Sequence, residues 1–126
     1  MKREIKFRGK RIDNGEWAFG NLILDNHPKI KKAFIQVNSE EDLFDRRSYE
    51  VIPETVGEFT GLIDKNGEEV YEGDIWQWDE DEDLSYTIDF CEGAFGAYTY
   101  GYYRQAGLFK FGEVAGNIHD NPKLIK

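Results

Sequence analysis

The stretch Ile5-Lys6-Phe7-Arg8-Gly9-Lys10-Arg11-Ile12-Asp13-Asn14-Gly15-Glu16-Trp17-Ala18-Phe19 sets the reading of this 126-residue chain. Ile5 and Phe7 alternate with Lys6 and Arg8, the period of two that marks a half-buried strand, here with a basic outer face. Asp13-Asn14-Gly15 then supplies a hairpin turn, because Asn and Gly adopt positive φ at little cost. Glu16-Trp17-Ala18-Phe19 returns as the second strand. Gly20-Asn21 is placed to bend it before Leu22-Ile23-Leu24.

The same grammar runs outward along the chain. Asp25-Asn26-His27-Pro28 is a turn and Ala33–Val37 a strand. Ser39 with Glu40, Glu41 and Asp42 resembles a capped helix start, so a short helix is expected at about Glu40 to Arg47. Tyr49–Ile52 is a strand stopped by Pro53, and Val56–Ile63 is another. Asp64-Lys65-Asn66-Gly67 forms a second hairpin turn, Glu68–Tyr71 returns, Glu72-Gly73-Asp74 bends, and Ile75–Trp78 continues extended. Tyr86–Cys91, Ala97–Arg104 and Leu108–Val114 complete an antiparallel set. The order of apolar residue, turn, strand and Gly-Asn or Gly-Asp bend at 12–23 recurs at 63–76, as two similar hairpin units would.

The expected fold is therefore mainly β. It is a small antiparallel, strongly curved sheet or SH3-like partly open barrel with at most one short helix. Residues 1–126 are read as one compact domain, with β sub-units at about 1–50 and 51–126. Aromatic side chains make up 15% of the chain and there are thirteen Gly, a balance that favours strands and tight turns over long helices.

Charge narrows the function classes. The net charge is -9, yet Lys2, Arg3, Lys6, Arg8, Lys10 and Arg11 face only Glu4 in the first eleven residues, a local +5 that leaves -14 elsewhere. An acidic body repels phosphate backbones, so general nucleic-acid binding is disfavoured. No apolar run approaches the ~20 residues of a membrane span. Met1-Lys2-Arg3-Glu4 leads into charge rather than an apolar stretch, and the single Cys91 cannot form an internal disulfide. Both point to the cytoplasm.

The block Val51-Ile52-Pro53-Glu54-Thr55-Val56-Gly57-Glu58-Phe59-Thr60-Gly61-Leu62 runs on through Asp64-Lys65-Asn66-Gly67 and Tyr71-Glu72-Gly73-Asp74-Ile75. Together with Ile5-Lys6-Phe7-Arg8-Gly9-Lys10 and Ala115-Gly116-Asn117-Ile118-His119-Asp120-Asn121-Pro122, it closely resembles the YopX family of bacteriophage and prophage proteins. The resemblance spans nearly the whole chain. It implies a small β-rich protein encoded in phage or prophage genomes, in a family without an established biochemical activity. No family catalytic residues carry over.

The residues themselves offer few chemical sites. Asp79, Asp81 and Asp83 alternate like the opening of a calcium loop, but Leu84 and Phe90 stand where that loop needs Gly and Glu. The acidic run from Asp79 to Asp83 is read as a solvated loop. His27, His119 and Cys91 are too few for a structural zinc site. His119-Asp120-Asn121-Pro122 reads as a terminal turn, and Glu72-Gly73-Asp74 as a bend rather than an acid–base pair. No catalytic residue, cofactor or metal is expected. Tyr98, Tyr100 and Tyr102 would share one strand face, with Tyr103 on the other. With Lys6 and Arg8 they form the candidate interaction surface. The expected function is a non-enzymatic protein-interaction or self-assembling module, with a homo-oligomer or a host protein as partner and no membrane. The alternative is a nucleic-acid-linked small β-barrel, either a single-strand binder or an acidic decoy acting on a host DNA-binding protein.

Overall fold

The computed structural model describes residues 4–38 and 46–124. Two compact units divide the chain, Met1–Glu58 and Phe59–Lys126. Every strand pairing in both is antiparallel.

In the first unit the strands are β1 (Phe7–Lys10), β2 (Trp17–Asn26), β3 (Lys31–Asn38) and β4 (Arg46–Val51). A single 3-10 turn at Pro53–Thr55 leads to β5 (Gly57–Ile63), whose first two residues pair with Arg8 and Phe7. The Asn14-Gly15 turn joins β1 to β2 as the sequence dictates, with Gly15 at φ 73. β2 then changes neighbours: Trp17–Gly20 pair with β1, and Asn21–Asn26 pair with β3. The change falls at Gly20, where an added Cβ would overlap the Gln36 carbonyl. Beyond β1, Arg11 bridges Val51, the Ile12 N–H donates to the Glu50 carbonyl at 3.1 Å, and the Ile52 N–H donates to the Lys10 carbonyl at 2.8 Å. The end of the first strand segment thus meets the end of β4, and the ladder curls without closing. Ala18, Ala33, Ile35 and Val51 are buried inside it, flanked by Phe7, Leu22, Val37, Tyr49 and Val56.

In the second unit the rest of β5 pairs with β6 (Glu69–Tyr71). A separate sheet has the order β10-β9-β8-β7-β11. Its members are β7 (Asp74–Trp78), β8 (Asp81–Cys91), β9 (Ala94–Thr99), β10 (Tyr102–Gln105) and β11 (Gly112–Asn117). Its core gathers Val70, Trp76, Tyr86, Ile88, Ala97 and Phe109. The Trp76 ring meets Tyr86 edge-on at 5.6 Å and Phe109 at 5.9 Å, and its indole N–H donates to the Phe109 carbonyl at 3.1 Å. Asp64 is buried, and its carboxylate accepts the Asn66 and Glu68 amides on one oxygen and the Val114 amide on the other, at 2.8–2.9 Å. It fastens the β5–β6 turn to β11.

A mainly β, partly open antiparallel architecture is what the alternation and turn pattern implied. Four local expectations change. The helix at about Glu40 to Arg47 lies outside the described residues as far as Asp45, and Arg46 and Arg47 open β4. The acidic run is not all loop: Asp79 and Glu80 form a two-residue turn and Asp81 already pairs with Trp78. Leu108–Val114 is not one strand, because Ala106–Phe111 winds into 3-10 geometry that delivers Phe109 to the core before β11 begins. The stretch Ala97–Arg104 is broken at Tyr100-Gly101 into a hairpin, with Gly101 at φ 73. The two echoing hairpins also diverge in detail. Gly20 sits within a strand, whereas Gly73, at φ 88, makes the tight turn between β6 and β7.

Candidate functional site

The expected interaction residues fall into two groups. Lys6 and Arg8 belong to the first unit, and the three tyrosines belong to the second. The Lys6 ammonium lies 3.1 Å from the Glu4 carboxylate. Arg8 is only 7% exposed, and its guanidinium carbon sits 4.7 Å from the centre of the Trp17 ring. Lys10 approaches the same ring at 6.0 Å, and Arg11 covers Tyr49 at 3.8 Å while its guanidinium binds Asp13 at 2.6 Å. That ion pair lowers the Asp13 pKa and raises the Arg11 pKa, with the side-chain hydrogen bond as the main cause in both. The basic segment is therefore largely engaged with rings and acids of its own unit. This is how a strand can carry so many cations beside a packed core.

The tyrosines are arranged otherwise than a single strand would place them. Tyr98 pairs with Tyr103 across the β9–β10 hairpin and Thr99 pairs with Tyr102. Directly opposed residues share a face and neighbours along a strand alternate, so Tyr98 and Tyr103 share one face and Tyr102 lies on the other. The Tyr98 and Tyr103 rings stand 4.9 Å apart. Tyr103 also covers Gly96, its opposite diagonal neighbour, so closely that a Cβ at Gly96 would collide with the ring. Tyr100 occupies the turn and is 77% exposed, and Tyr102 is 55% exposed.

On the Tyr98 face an open depression of about 360 Å³ is lined by Cys91, Glu92, Ala94, Tyr98 and Tyr103. Its rim at Glu92-Gly93 turns with both residues at positive φ, 53° and 84°. Glu92 is the one non-glycine residue with positive φ among the described residues. Partial burial raises the Tyr98 pKa above the ordinary tyrosine value, and Cys91 adds to the rise through its charge and a hydrogen bond to the phenol. Sequence reasoning missed Tyr103 and Cys91 as neighbours of Tyr98. The signal available for them was Tyr100-Gly101, a turn dipeptide inside an otherwise strand-like run.

The other polar features are structural. Asn117 organises the terminal turn by accepting the His119 and Asp120 amides at 3.0 and 2.9 Å and donating to the Asp120 carboxylate at 3.1 Å. Asp74 is buried and accepts the Tyr71 amide at 2.8 Å, which closes the Gly73 turn. Among the described residues no three His, Cys, Asp or Glu side chains gather as a metal site. No helix among them is long and apolar enough to cross a membrane.

The fold and site define an all-β chain built from two antiparallel sheets, with an aromatic hairpin on its surface. The chain belongs to the YopX family, whose model, described as YopX protein, matches residues 6–126. No curated protein matches its sequence. Among solved structures it is similar to the crystal structure of protein EF1440 from Enterococcus faecalis, with a TM-score of 0.64 at 22% identity. The match covers 99% of this chain and 100% of that one. At that identity the likeness concerns the fold.

Proposed function

We propose that this YopX-family protein is a non-enzymatic interaction module, encoded by a phage or prophage and working in the cytoplasm of the bacterial host. The observation that carries the reading is the β9–β10 hairpin, which presents Tyr100 at 77%, Tyr102 at 55% and Tyr103 at 46% exposure. Tyrosine offers large, stiff, amphipathic contact area at low entropic cost, so it is favoured where proteins meet. The hairpin is the surface offered to a host protein, and further copies of this chain are the second class of partner. The test is affinity capture from host cells with the wild type and the Tyr100→Ser/Tyr102→Ser variant as baits, alongside sedimentation of the purified protein. A captured protein that depends on the tyrosines is expected. Identical captured sets, with a strict monomer at every concentration, would remove the reading.

A nucleic-acid-linked role is favoured by one arrangement, the Arg8 and Lys10 cations stacked on Trp17. It requires retention on single-stranded DNA that is lost when Lys6 and Arg8 are neutralised. The burial of Arg8 and the net charge of -9 both count against it.

A further inference from the structure

The β2–β3 hairpin is built unlike the rest of its unit. Leu24 pairs with Ala33, Asp25 with Lys32 and Asn26 with Lys31. The β3–β4 ladder reaches only to Ala33, and the β1–β2 ladder ends at Gly20. From Asp25 to Lys32 the hairpin therefore pairs only with itself. Every residue from Ile23 to Lys32 is exposed, so neither face is covered. Two-stranded ribbons of this kind are marginal alone in water. This one also exposes Ile23 at 41%, Leu24 at 56% and Ile30 at 58%.

Its charge is opposite to that of the chain. Lys29, Lys31 and Lys32 stand against Asp25, a net +2 on a protein of net -9, so all other residues together carry -11. None of these three ammonium groups pairs with an acid among the described residues. The Asp25 carboxylate is turned to the His27 amide at 3.2 Å.

We infer that this hairpin is a docking arm whose occupant is the acidic surface of a second copy of the same chain. Aliphatic side chains on both faces supply the area, and three lysines without an acidic partner supply attraction to a chain whose other residues sum to -11, with the acids concentrated outside the basic first segment. The inference rests on the reading that the protein self-associates and assigns that association to a segment remote in sequence from the tyrosine hairpin.

The experiment is analytical ultracentrifugation of the full chain, wild type against Lys29→Glu/Lys31→Glu/Lys32→Glu and against Ile23→Ser/Leu24→Ser/Ile30→Ser. Circular dichroism checks the fold, and the Tyr100→Ser/Tyr102→Ser protein serves as a control. Both arm variants are expected to raise the dissociation constant about tenfold or more. Wild-type assembly is expected to weaken as salt rises to about 0.5 M, where screening falls below about 5 Å. If the wild type assembles and folded arm variants assemble equally, the arm assignment is overturned while self-association stands. If the wild type is a strict monomer, both fail. Loss of single-stranded DNA retention by the lysine variant, with unchanged sedimentation, would overturn the inference in favour of a nucleic-acid contact.

Discussion

Replacing Asp64 with Asn tests whether one buried carboxylate holds the second unit together. The side chain is 3% exposed and accepts three backbone amides, those of Asn66, Glu68 and Val114. An amide of the same shape keeps one oxygen, so two donors can still be served, but its NH₂ must face the third. Leaving a buried N–H without an acceptor costs about 1–3 kcal/mol. Turning the two surviving bonds from charge-assisted to neutral costs roughly 1 kcal/mol each. The expected loss is then about 3–5 kcal/mol, a large share of the ~5–15 kcal/mol typical of a whole domain. Urea unfolding followed by tryptophan fluorescence reads it directly, because Trp76 is fully buried in the same unit. With a slope of about 1–3 kcal/mol/M the midpoint should fall by at least ~1 M at unchanged slope. Asp79→Asn is the control: its ion pair with Lys65 is exposed, and its loss should cost under about 1 kcal/mol. If Asp64→Asn lies within ~1 kcal/mol of wild type, the clamp is not the determinant argued from its hydrogen bonds.

Three further outcomes follow from the tyrosine hairpin and its neighbours. Gly96→Ala should displace the Tyr103 ring and part it from Tyr98, which near-ultraviolet circular dichroism would register, at a cost of only about 1 kcal/mol because the ring can swing toward solvent. Glu92→Asn should raise stability by about 0.5–1 kcal/mol in chemical denaturation, since the φ of 53° there is poorly suited to glutamate and well tolerated by asparagine. Tyr98 should ionise above the ordinary tyrosine range, so Tyr98→Phe should remove the late part of the alkaline phenolate absorbance rise. The folded protein holds that proton more tightly than the unfolded chain, so stability should decline as pH rises past the ordinary tyrosine pKa toward the raised one.

Turn chemistry and alternation were the legible parts of the fold. Gly15 and Gly67 mark two hairpins because their φ of 73° and 80° is costly for other residues, whereas Asn14 and Asn66 keep the ordinary negative φ. The flanking residues can then pair in one direction only. What could not be read was where a strand-like run stops being a strand. Leu108 to Val114 reads as a strand from its aromatic and β-branched residues Phe109, Phe111 and Val114, but Phe109 fills the space beside Trp76, and the chain winds into 3-10 geometry to place it there. That need arises from packing between residues 33 positions apart, which local propensity does not record.

The candidate site was half legible for a related reason. Counting every second residue from Tyr98 gives a stripe only if the strand is unbroken. A two-residue turn at Tyr100-Gly101 shifts the parity, so Tyr103 replaces Tyr102 beside Tyr98. Tyr98, thus half covered, acquires a perturbed phenol, and Tyr100 is carried out to the turn. The rings of this protein consequently divide by position rather than by type. Trp76, Tyr86 and Phe109 are spent on cohesion, whereas Tyr100 and Tyr102 bury little area in their own chain. The proposed interaction surface rests on that second group, the rings left at the surface of the hairpin.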